Sequence, residues 1–245
     1  MGASVVVKMD SDGQMSPDNL MTLVEPILSG YADYAKGNRF FHTREIRKMP
    51  FTRRVGNLGL SFLTKIASGY WNIFDPTNGY IAISTNVFRN LDQNRINRRY
   101  FFETSLLFEL SLARAVVIDI PMPARYHDEI SSLSTLKSLF EFSYYLIHGM
   151  LRRLWLQYFV MDFSIASLYF IIGFVLCLFG GVWGVYAWQK SNLTHIAATT
   201  GTVMIAVLPV ILGFQLLIQA LAYDVQNVPK TTLYRPTKSR KTAIM

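Results

Sequence analysis

The residues best suited to chemistry are two aspartates near the start of this 245-residue chain. Asp10 and Asp12 flank a single residue after the β-branched run Ser4–Met9, which predicts a buried strand that ends in a turn. Two carboxylates so placed can converge on one hard cation that also binds a diphosphate, and such a cation offsets negative charge on a leaving group. The same pair also occurs in solvated turns, so the spacing alone leaves both interpretations open.

The elements that must position this pair follow from the surrounding pattern. Ser16 and Pro17 suit the cap and the first turn of a helix. Apolar residues then recur at helical spacing, at Leu20, Leu23, Val24, Ile27 and Leu28. A strand, an acidic turn and a helix in succession favour an α/β sheet with a site at the carboxyl edge of the strand.

A strongly basic segment comes after Arg39. Against the single acid Glu45 it carries His42, Arg44, Arg47, Lys48, Arg53 and Arg54. The segment looks like a loop rather than a helix face. Such a loop can hold the phosphate of a lipid acceptor close to a bilayer, or it can be a solvated loop without a ligand, and its composition does not decide between the two.

Further elements can be placed along the soluble region. Gly56–Trp71 has the apolar spacing of a helix, Asp75–Gly79 is a turn, and Tyr80–Ser84 has the pattern of a strand. A second helix is predicted over Arg99–Arg114, and a strand over Ala115–Ile120.

Two uncharged stretches near the C-terminus are long enough to cross a membrane. Phe163–Trp188 and Ile196–Tyr223 each exceed the ~20 residues that a spanning helix needs. The connector Gln189–His195 is so short that the two helices are expected to form an antiparallel hairpin. The segment 134–162 mixes apolar and aromatic residues with scattered charges, which predicts helices lying in the plane of the bilayer surface.

Basic residues flank this hairpin on one side only. Arg152 and Arg153 precede the first span and a basic tail at 224–245 follows the second, whereas the connector carries only Lys190. The asymmetry places the large N-terminal region and both termini in the cytosol. The chain is therefore expected to be a multi-pass protein of the cell (inner) membrane.

Composition disfavours several classes of function. The net charge is +8, yet residues 163–245 hold 6 Lys and Arg against 1 acid, which favours a lipid bilayer and not nucleic acid as the partner. Cys177 is the only cysteine, so an intrachain disulfide and a cysteine-based metal site are excluded. The histidines lack ligand spacing, and neither predicted span contains an ionisable residue for a transport path.

Several motifs in order resemble glycosyltransferase family 2, in particular its dolichol-phosphate mannosyltransferase-like and polyisoprenyl-phosphate members. They are Lys8–Gln14 with Ser16-Pro17, Ala32–Tyr34 with Gly37–Phe40, and Asp75–Tyr80. The resemblance covers residues 3 to 135, and the two-helix anchor also looks like the bacterial members. It implies a partial α/β domain of the GT-A type at 1–133, followed by amphipathic interface helices and a two-helix transmembrane hairpin.

The resemblance also implies roles for individual residues. Asp10 and Asp12 match the acidic motif that holds Mg²⁺ or Mn²⁺ against the donor diphosphate, and Asp75 matches a catalytic or positioning acid near the acceptor. Gln14 and Arg125 match positions that reach the donor diphosphate. The acceptor phosphate is expected at Arg39, Arg44, Arg47, Lys48, Arg53 and Arg54.

The chain departs from the family pattern in three places. Ile81-Ala82 stands where the family commonly has an arginine, and Asp128–Ser132 replaces its usual basic ending near the membrane. Only nine residues precede Asp10, whereas family members have nucleotide-binding strands there. We therefore expect an N-terminally truncated domain whose first strand has an exposed edge.

Together these features predict an inverting, metal-dependent transfer of a sugar from a nucleotide-sugar donor to a polyprenyl phosphate (undecaprenyl or dolichyl), for cell-envelope or surface glycan synthesis. Because a phosphate oxygen is already anionic, no strong base is required and Asp75 would orient a substrate. If the acceptor is a sugar hydroxyl, Asp75 or Glu103 is the candidate base, although a helix acid such as Glu103 is expected to be solvated. An inactive membrane-anchored fragment or a scaffold subunit is the alternative function. The sequence is also compatible with a homo-oligomer.

Overall fold

A computed structural model describes residues 2–10, 15–40, 51–76, 78–98, 101–123 and 135–234, with the backbone alone at 51–55, 57 and 135–141. The chain forms two compact units. The first comprises Met1–Arg153 together with Val228–Met245, and the second comprises Leu154–Asn227.

The first unit contains a four-stranded mixed sheet in the order β1-β3-β2-β4. Its strands are β1 (Val5–Lys8), β2 (Tyr34–Asn38), β3 (Ile81–Ser84) and β4 (Val117–Pro121). Strand β3 runs antiparallel to both β1 and β2, while β2 and β4 are parallel. The ends of β1, β2 and β4 therefore meet the start of β3 at one edge of the sheet, which we call the carboxyl edge.

Three of these strands agree with the apolar runs in the sequence, and β2 was not predicted. All of Tyr34–Asn38 is buried, although Lys36, Gly37 and Asn38 are not residues typical of a strand interior. Strand β1 pairs with β3 alone among the described strands, and Val6 is 46% exposed.

The helices of the first unit cover both faces of the sheet. After a 3₁₀ turn at Pro17–Asn19, in which Ser16 accepts a hydrogen bond from the Asp18 amide as a cap, α1 spans Leu20–Leu28. The others are α2 (Phe51–Ser68), α3 (Thr85–Asn90), a 3₁₀ turn (Gln93–Arg95) and α4 (Phe102–Leu112). The expectation of a loop was wrong for Arg53 and Arg54, because the helix that the apolar pattern indicated from Gly56 begins earlier and includes both.

The hydrophobic core lies on both faces of the sheet because successive side chains of a strand point to opposite sides. On one face, Tyr34, Ile81 and Ile83 pack with residues of α4. On the other, Ala35 and Ala82 pack with residues of α1. The sheet is therefore sandwiched between helices, which leaves its edges as the places where polar groups can collect.

Helix α5 (Thr135–Trp155) lies almost wholly in the first unit and packs there through aromatic side chains. The rings of Phe101 and Phe142 lie 5.5 Å apart between centroids, and Arg153 is buried and donates to the carbonyl of Ala67. Its exposed apolar side chains include Ile147 and Leu151. Exposed apolar residues four positions apart share one helix face.

The second unit holds two long helices, α6 (Ile165–Thr194) and α7 (Thr200–Gln226), after a π-helical segment at Leu156–Met161. Both are long and apolar enough to cross a membrane. The first continues six residues beyond the predicted end at Trp188, so much of the expected connector is helical, and it ends at His195 with a φ of 54°. The connector contains neither Gly nor Pro, the residues that most often end a helix, so the helix can continue into it.

These two helices pack antiparallel through small residues. A Cβ on Gly173 would press on the carbonyl of Gly213, and a Cβ on Gly180 would collide with the carbonyl of Ala206. Cys177 lies against Gly213, so it is a packing residue. Small residues that let two backbones approach closely are typical of helix pairs in membranes.

The second long helix is shifted along the chain relative to the stretch Ile196–Tyr223 predicted from the sequence. Helix α7 extends past the predicted end at Tyr223 and includes Asp224. Asp224 is buried and accepts a hydrogen bond from the Tyr158 hydroxyl, both within the second unit. The extra turn therefore brings an ionisable group into the helix, but it lies near the end of α7 and not along its length.

The segment after α7 belongs to the first unit. The amides of Leu233 and Tyr234 donate to the carboxylate of Asp33, and the Thr232 hydroxyl donates to the carbonyl of Gly30. Asp33 also accepts from the Val116 amide beside β4. Residues 228–234 are thus docked on the sheet domain, whereas the sequence suggested a basic tail over the whole of 224–245.

Candidate functional site at the carboxyl edge of the sheet

Asp10 lies at the carboxyl edge, two residues beyond the end of β1, and is in contact with the Asp75–Tyr80 segment. Its carboxylate lies against Gly79, where a Cβ would overlap both carboxylate oxygens. The contact arises because Lys8, the last residue of β1, pairs with Ile81, the first residue of β3. The two acidic motifs of the sequence therefore meet in one place.

Lys8 links Asp10 to α4. Its ammonium group donates to Asp10 at 2.7 Å and to Glu103 at 2.8 Å. Partial burial alone would lower the pKa of Lys8, but the hydrogen bonds to Asp10 and Glu103 raise it above its ordinary value. Glu103 is therefore not the solvated helix acid that the sequence favoured, since its side chain is 13% exposed and forms an ion pair.

Arg39 and Asp75 form a two-pronged ion pair across the same edge. Arg39 Nε donates to Asp75 Oδ2 at 2.8 Å, and Nη2 donates to Oδ1 at 3.0 Å. The Arg39 backbone amide donates to Oδ2 as well, at 3.2 Å. Asp75 is completely buried, while the Arg39 side chain is 19% exposed. The pair therefore presents the arginine, rather than the acid, to a ligand.

The turn between Asp75 and Tyr80 is fixed by buried polar contacts with β2. Lys36 Nζ donates to the carbonyl of Asn78 at 2.6 Å, and Asn78 Nδ2 donates to the carbonyl of Gly37 at 2.6 Å. Burial lowers the pKa of Lys36 to about 8, although Glu103, Asp75 and Asp119 act to raise it. A Cβ on Gly37 would crowd the Asn78 amide, so the close approach of β2 to the turn requires glycine.

Asp119 adds a fourth carboxylate from β4. It accepts from the Phe74 amide at 2.7 Å and from Asn38 Nδ2 at 3.0 Å. Burial raises its pKa to about 6, the Phe74 amide acts in the opposite direction, and the charge of Asp75 raises it further. The carboxyl edge thus collects basic groups of β1 and β2 with acidic groups of four other segments.

Among the residues predicted from the sequence, the structure pairs Arg39 with Asp75 and places Asp10 against Gly79, in the segment that begins with Asp75. It shows only the backbone of Arg53 and Arg54, in helix α2. The remaining predicted residues lie outside the described part of the chain: Asp12, Gln14, Arg44, Arg47, Lys48 and Arg125.

Sequence reasoning missed Lys36, Asn78 and Asp119. For Asp119 a signal was available, since it is the one charged residue in the apolar run Ala115–Ile120, and a charge inside a buried strand needs a partner. For Lys36 the signal was hidden, because the strand that carries it was not recognised. Asn78 stands in a turn-forming cluster, where asparagine ordinarily serves the turn itself.

The described residues include a ligand of the chemical type that binds a divalent cation. Asp10 supplies hard oxygen ligands of the type that Mg²⁺ and Mn²⁺ prefer, and the lack of a side chain at Gly79 leaves room for its carboxylate. Among the described residues no group of three or more metal-ligating side chains is found. A metal site formed by Asp10 with Asp12, as the resemblance implies, therefore stays a prediction.

Ligands of open α/β sheets bind beyond the carboxyl ends of the strands, so the fold and the site define a substrate-binding α/β domain with paired acidic and basic groups. Residues 2–92 match the family described as Glycosyl transferase family 2. Residues 2–92 are thus similar to glycosyltransferase family 2, the family that the sequence motifs resemble, and the mixed sheet between helices agrees with the α/β fold expected from them.

Two relatives resemble parts of the chain. UDP-N-acetylglucosamine–dolichyl-phosphate N-acetylglucosaminyltransferase of Methanococcus voltae is 36% identical over 100 residues, covering 41% of this chain and 39% of the relative. Polyprenol monophosphomannose synthase of Mycolicibacterium smegmatis is 26% identical over 157 residues, covering 62% of this chain and 58% of the relative. The chain thus spans less than two thirds of the length of either.

A solved structure overlaps the chain more loosely. The crystal structure of glucosyl-3-phosphoglycerate synthase from Mycobacterium tuberculosis, in complex with Mn²⁺, uridine diphosphate and glucosyl-3-phosphoglycerate, has a TM-score of 0.43 at 20% sequence identity. The match covers 62% of this chain and 50% of that chain. An overlap of this extent does not carry chemistry over to this protein.

Proposed function

We propose that the chain is a membrane-bound glycosyltransferase that moves a sugar from a nucleotide-sugar donor to a polyprenyl phosphate, with a divalent metal and inversion at the anomeric carbon. The observation that carries this proposal is the contact of Asp10 with Gly79, because it joins the acid of the metal motif to the segment that begins with Asp75. A site for two anionic substrates needs both an acidic metal ligand and cationic groups at one place.

The geometry of Asp75 favours a phosphate acceptor over a hydroxyl acceptor. A general base must reach the proton that it removes, whereas Asp75 is buried and both of its oxygens accept hydrogen bonds from Arg39. Such an acid is suited to orienting the arginine. A polyprenyl phosphate already carries an anionic oxygen and needs no base, so an oriented arginine that offsets charge repulsion is sufficient.

Glu103 is likewise unsuited as a base for a sugar hydroxyl. Its Oε1 accepts the hydrogen bond from Lys8, and its side chain is only 13% exposed, so an ion pair occupies the group that would have to reach a sugar hydroxyl. Its role in the proposed reaction is to hold Lys8 against Asp10.

The lipid acceptor accords with the rest of the chain. The two long apolar helices indicate a membrane protein, and the names of both relatives include a polyprenyl or dolichyl lipid. We propose that α6 and α7 form a transmembrane hairpin with both termini in the cytosol, and that the exposed apolar side chains of α5 contact the bilayer surface. The lipid-linked sugar would then serve envelope or surface glycan assembly.

Acceptor choice tests this proposal. The full chain, reconstituted in liposomes with Mg²⁺ or Mn²⁺, is offered radiolabelled UDP-N-acetylglucosamine, UDP-glucose or GDP-mannose, with either a polyprenyl phosphate or the polyprenol of the same length. We expect label in the organic phase with the phosphate alone. Transfer to the polyprenol or to a soluble glycoside would support a hydroxyl acceptor, and no transfer from any donor would support a scaffold role.

Membrane topology has its own test. In a Cys177→Ala background, Leu193→Cys marks the end of α6 beside the hairpin connector, and Lys230→Cys marks the segment after α7. A membrane-impermeant maleimide should label Leu193→Cys on intact cells and Lys230→Cys only after the cells are opened. Labelling of both positions on intact cells would contradict a hairpin with cytosolic ends.

A further inference from the structure

Asp119 is a charged residue within β4 to which the proposed reaction assigns no role. In the parallel pairing of β2 with β4 it lies opposite Lys36. Its Oδ2 accepts from Asn38 Nδ2 and from the Phe74 amide. Asn38 immediately precedes Arg39, and Phe74 immediately precedes Asp75. One carboxylate oxygen therefore joins the two neighbours of the arginine–acid pair.

We propose that Asp119 is a positioning residue that holds Arg39 and Asp75 in their two-pronged arrangement. The proposal rests on the function proposed above, since it assigns to Asp119 the alignment of the pair that would face the acceptor phosphate. A two-pronged arginine–carboxylate pair needs both backbones held within a fraction of an ångström, and Asp119 links those backbones from a third strand.

Asn38 extends this link to the far side of Arg39. While its side-chain Nδ2 donates to Asp119, its side-chain Oδ1 accepts from the Phe40 amide at 2.8 Å. The residues on either side of Arg39 are thus tied to one carboxylate. On the outer side, the rings of Phe40 and Phe74 meet edge to face, with centroids 6.0 Å apart.

Asp119 is ionised at neutral pH even though its burial disfavours the charged form. Burial raises its pKa to about 6, and the Phe74 amide acts against this rise. Above that pH the carboxylate is ionised, and hydrogen bonds to an ionised acceptor are stronger than those to a neutral one. An asparagine at position 119 would keep the shape and lose the charge.

Amide hydrogen exchange tests the link between Asp119 and Phe74 without an assay of sugar transfer. In the full chain in detergent, Asp119→Ala should speed exchange of the Phe74 amide about 10-fold or more, the order expected for losing a hydrogen bond to a charged group. Asp119→Asn should give a smaller increase. The matched control is Asp92→Asn, because Asp92 also accepts from a backbone amide and an arginine but is exposed; it should leave Phe74 unchanged.

Unchanged protection of Phe74 in a folded Asp119→Ala chain would overturn the proposal. If that variant does not fold, Asn38→Ala provides a second measurement, because it removes the hydrogen bond from Asn38 to Asp119 and should speed exchange of the Arg39 amide, which donates to Asp75. Unchanged exchange of the Arg39 amide would overturn the proposal equally.

Kinetics distinguish positioning from general stability. With a polyprenyl phosphate acceptor, Asp119→Ala should lower kcat about 10-fold or more with little change in the donor KM, and Asp119→Asn should recover part of the loss. Equal rates for wild type and Asp119→Ala would refute positioning. If wild type transfers nothing while the exchange rates change as expected, the proposed function fails and the structural link stands.

Discussion

The carboxylate of Asp10 lies directly against Gly79, in space that a side chain at position 79 would fill. The two residues are 69 positions apart, yet the antiparallel pairing of Lys8 with Ile81 brings their segments together. The absence of a side chain at position 79 is therefore a condition for the placement of Asp10.

Gly79→Ala should displace Asp10 and reduce transfer by roughly 100-fold, because a displacement of about 1 Å at a reacting centre costs that much. The matched control is Gly59→Ala in α2, where a Cβ meets open space. Initial rates of lipid-linked product formation measure both variants. Full activity in Gly79→Ala would show that the position of Asp10 does not matter to the reaction.

Arg39→Lys should lower both activity and stability. Lysine cannot make the two-pronged contact, so the buried Asp75 would lose part of its hydrogen bonding, at a cost of about 1–3 kcal/mol. Thermal unfolding in detergent measures this loss. Arg95→Lys is the control, because its partner Asp92 is exposed and surface pairs contribute little. Equal unfolding midpoints for the two variants would contradict a structural role for the buried pair.

Lys36→Met should change how stability depends on pH. The pKa of Lys36 is lowered from 10.5 to about 8 by burial, so between these values the unfolded chain binds a proton that the folded chain does not. The stability of the wild type should therefore gain up to about 3 kcal/mol from this group as pH rises from 8 to 10.5, and lose it as pH falls. The variant lacks this contribution.

Unfolding midpoints of wild type and Lys36→Met at several pH values between 7 and 10.5 measure the difference. The wild type should improve relative to the variant as pH rises. A constant difference across this range would show that Lys36 has an ordinary pKa in the folded protein.

Neighbouring glycines in α6 provide a matched pair for the helix packing. Gly180→Ala would bring a methyl group into the backbone of α7, whereas Gly181→Ala points into open space. Overpacking typically costs about 1–3 kcal/mol, so unfolding in detergent should occur earlier for Gly180→Ala and stay unchanged for Gly181→Ala. Identical unfolding of both would contradict the close approach of the two helices.

An element of the fold could be predicted from the sequence only where its own residues form a recognisable hydrophobic pattern. Strands β1, β3 and β4 contain apolar runs, and the two long helices lack charge over their middles, so these elements were predicted. Strand β2 was missed because Lys36 and Asn38 are satisfied by partners on other segments. A single strand does not reveal partners that only the folded sheet supplies.

The candidate site divides in the same way. Asp10, Arg39 and Asp75 lie in short motifs, so their types and order were visible in the sequence. Asp119 makes its contacts with residues 81 and 45 positions away, and Glu103 meets Lys8 across 95 positions. Such pairs follow from sheet order and helix placement, which no local pattern encodes. The helix at Arg53 and Arg54 was missed because a cluster of charged residues is typical of a loop.

Transfer of labelled sugar to a polyprenyl phosphate by wild type, Asp10→Asn, Asp75→Asn and Asp92→Asn tests most directly whether Asp10 and the Arg39–Asp75 pair form one site. All four chains should remain folded and reach the membrane. We expect wild type and Asp92→Asn to transfer equally and both site variants to lose about 100-fold or more, the scale seen when a preorganised charged group is removed. Undiminished transfer by either Asp10→Asn or Asp75→Asn would contradict a shared site.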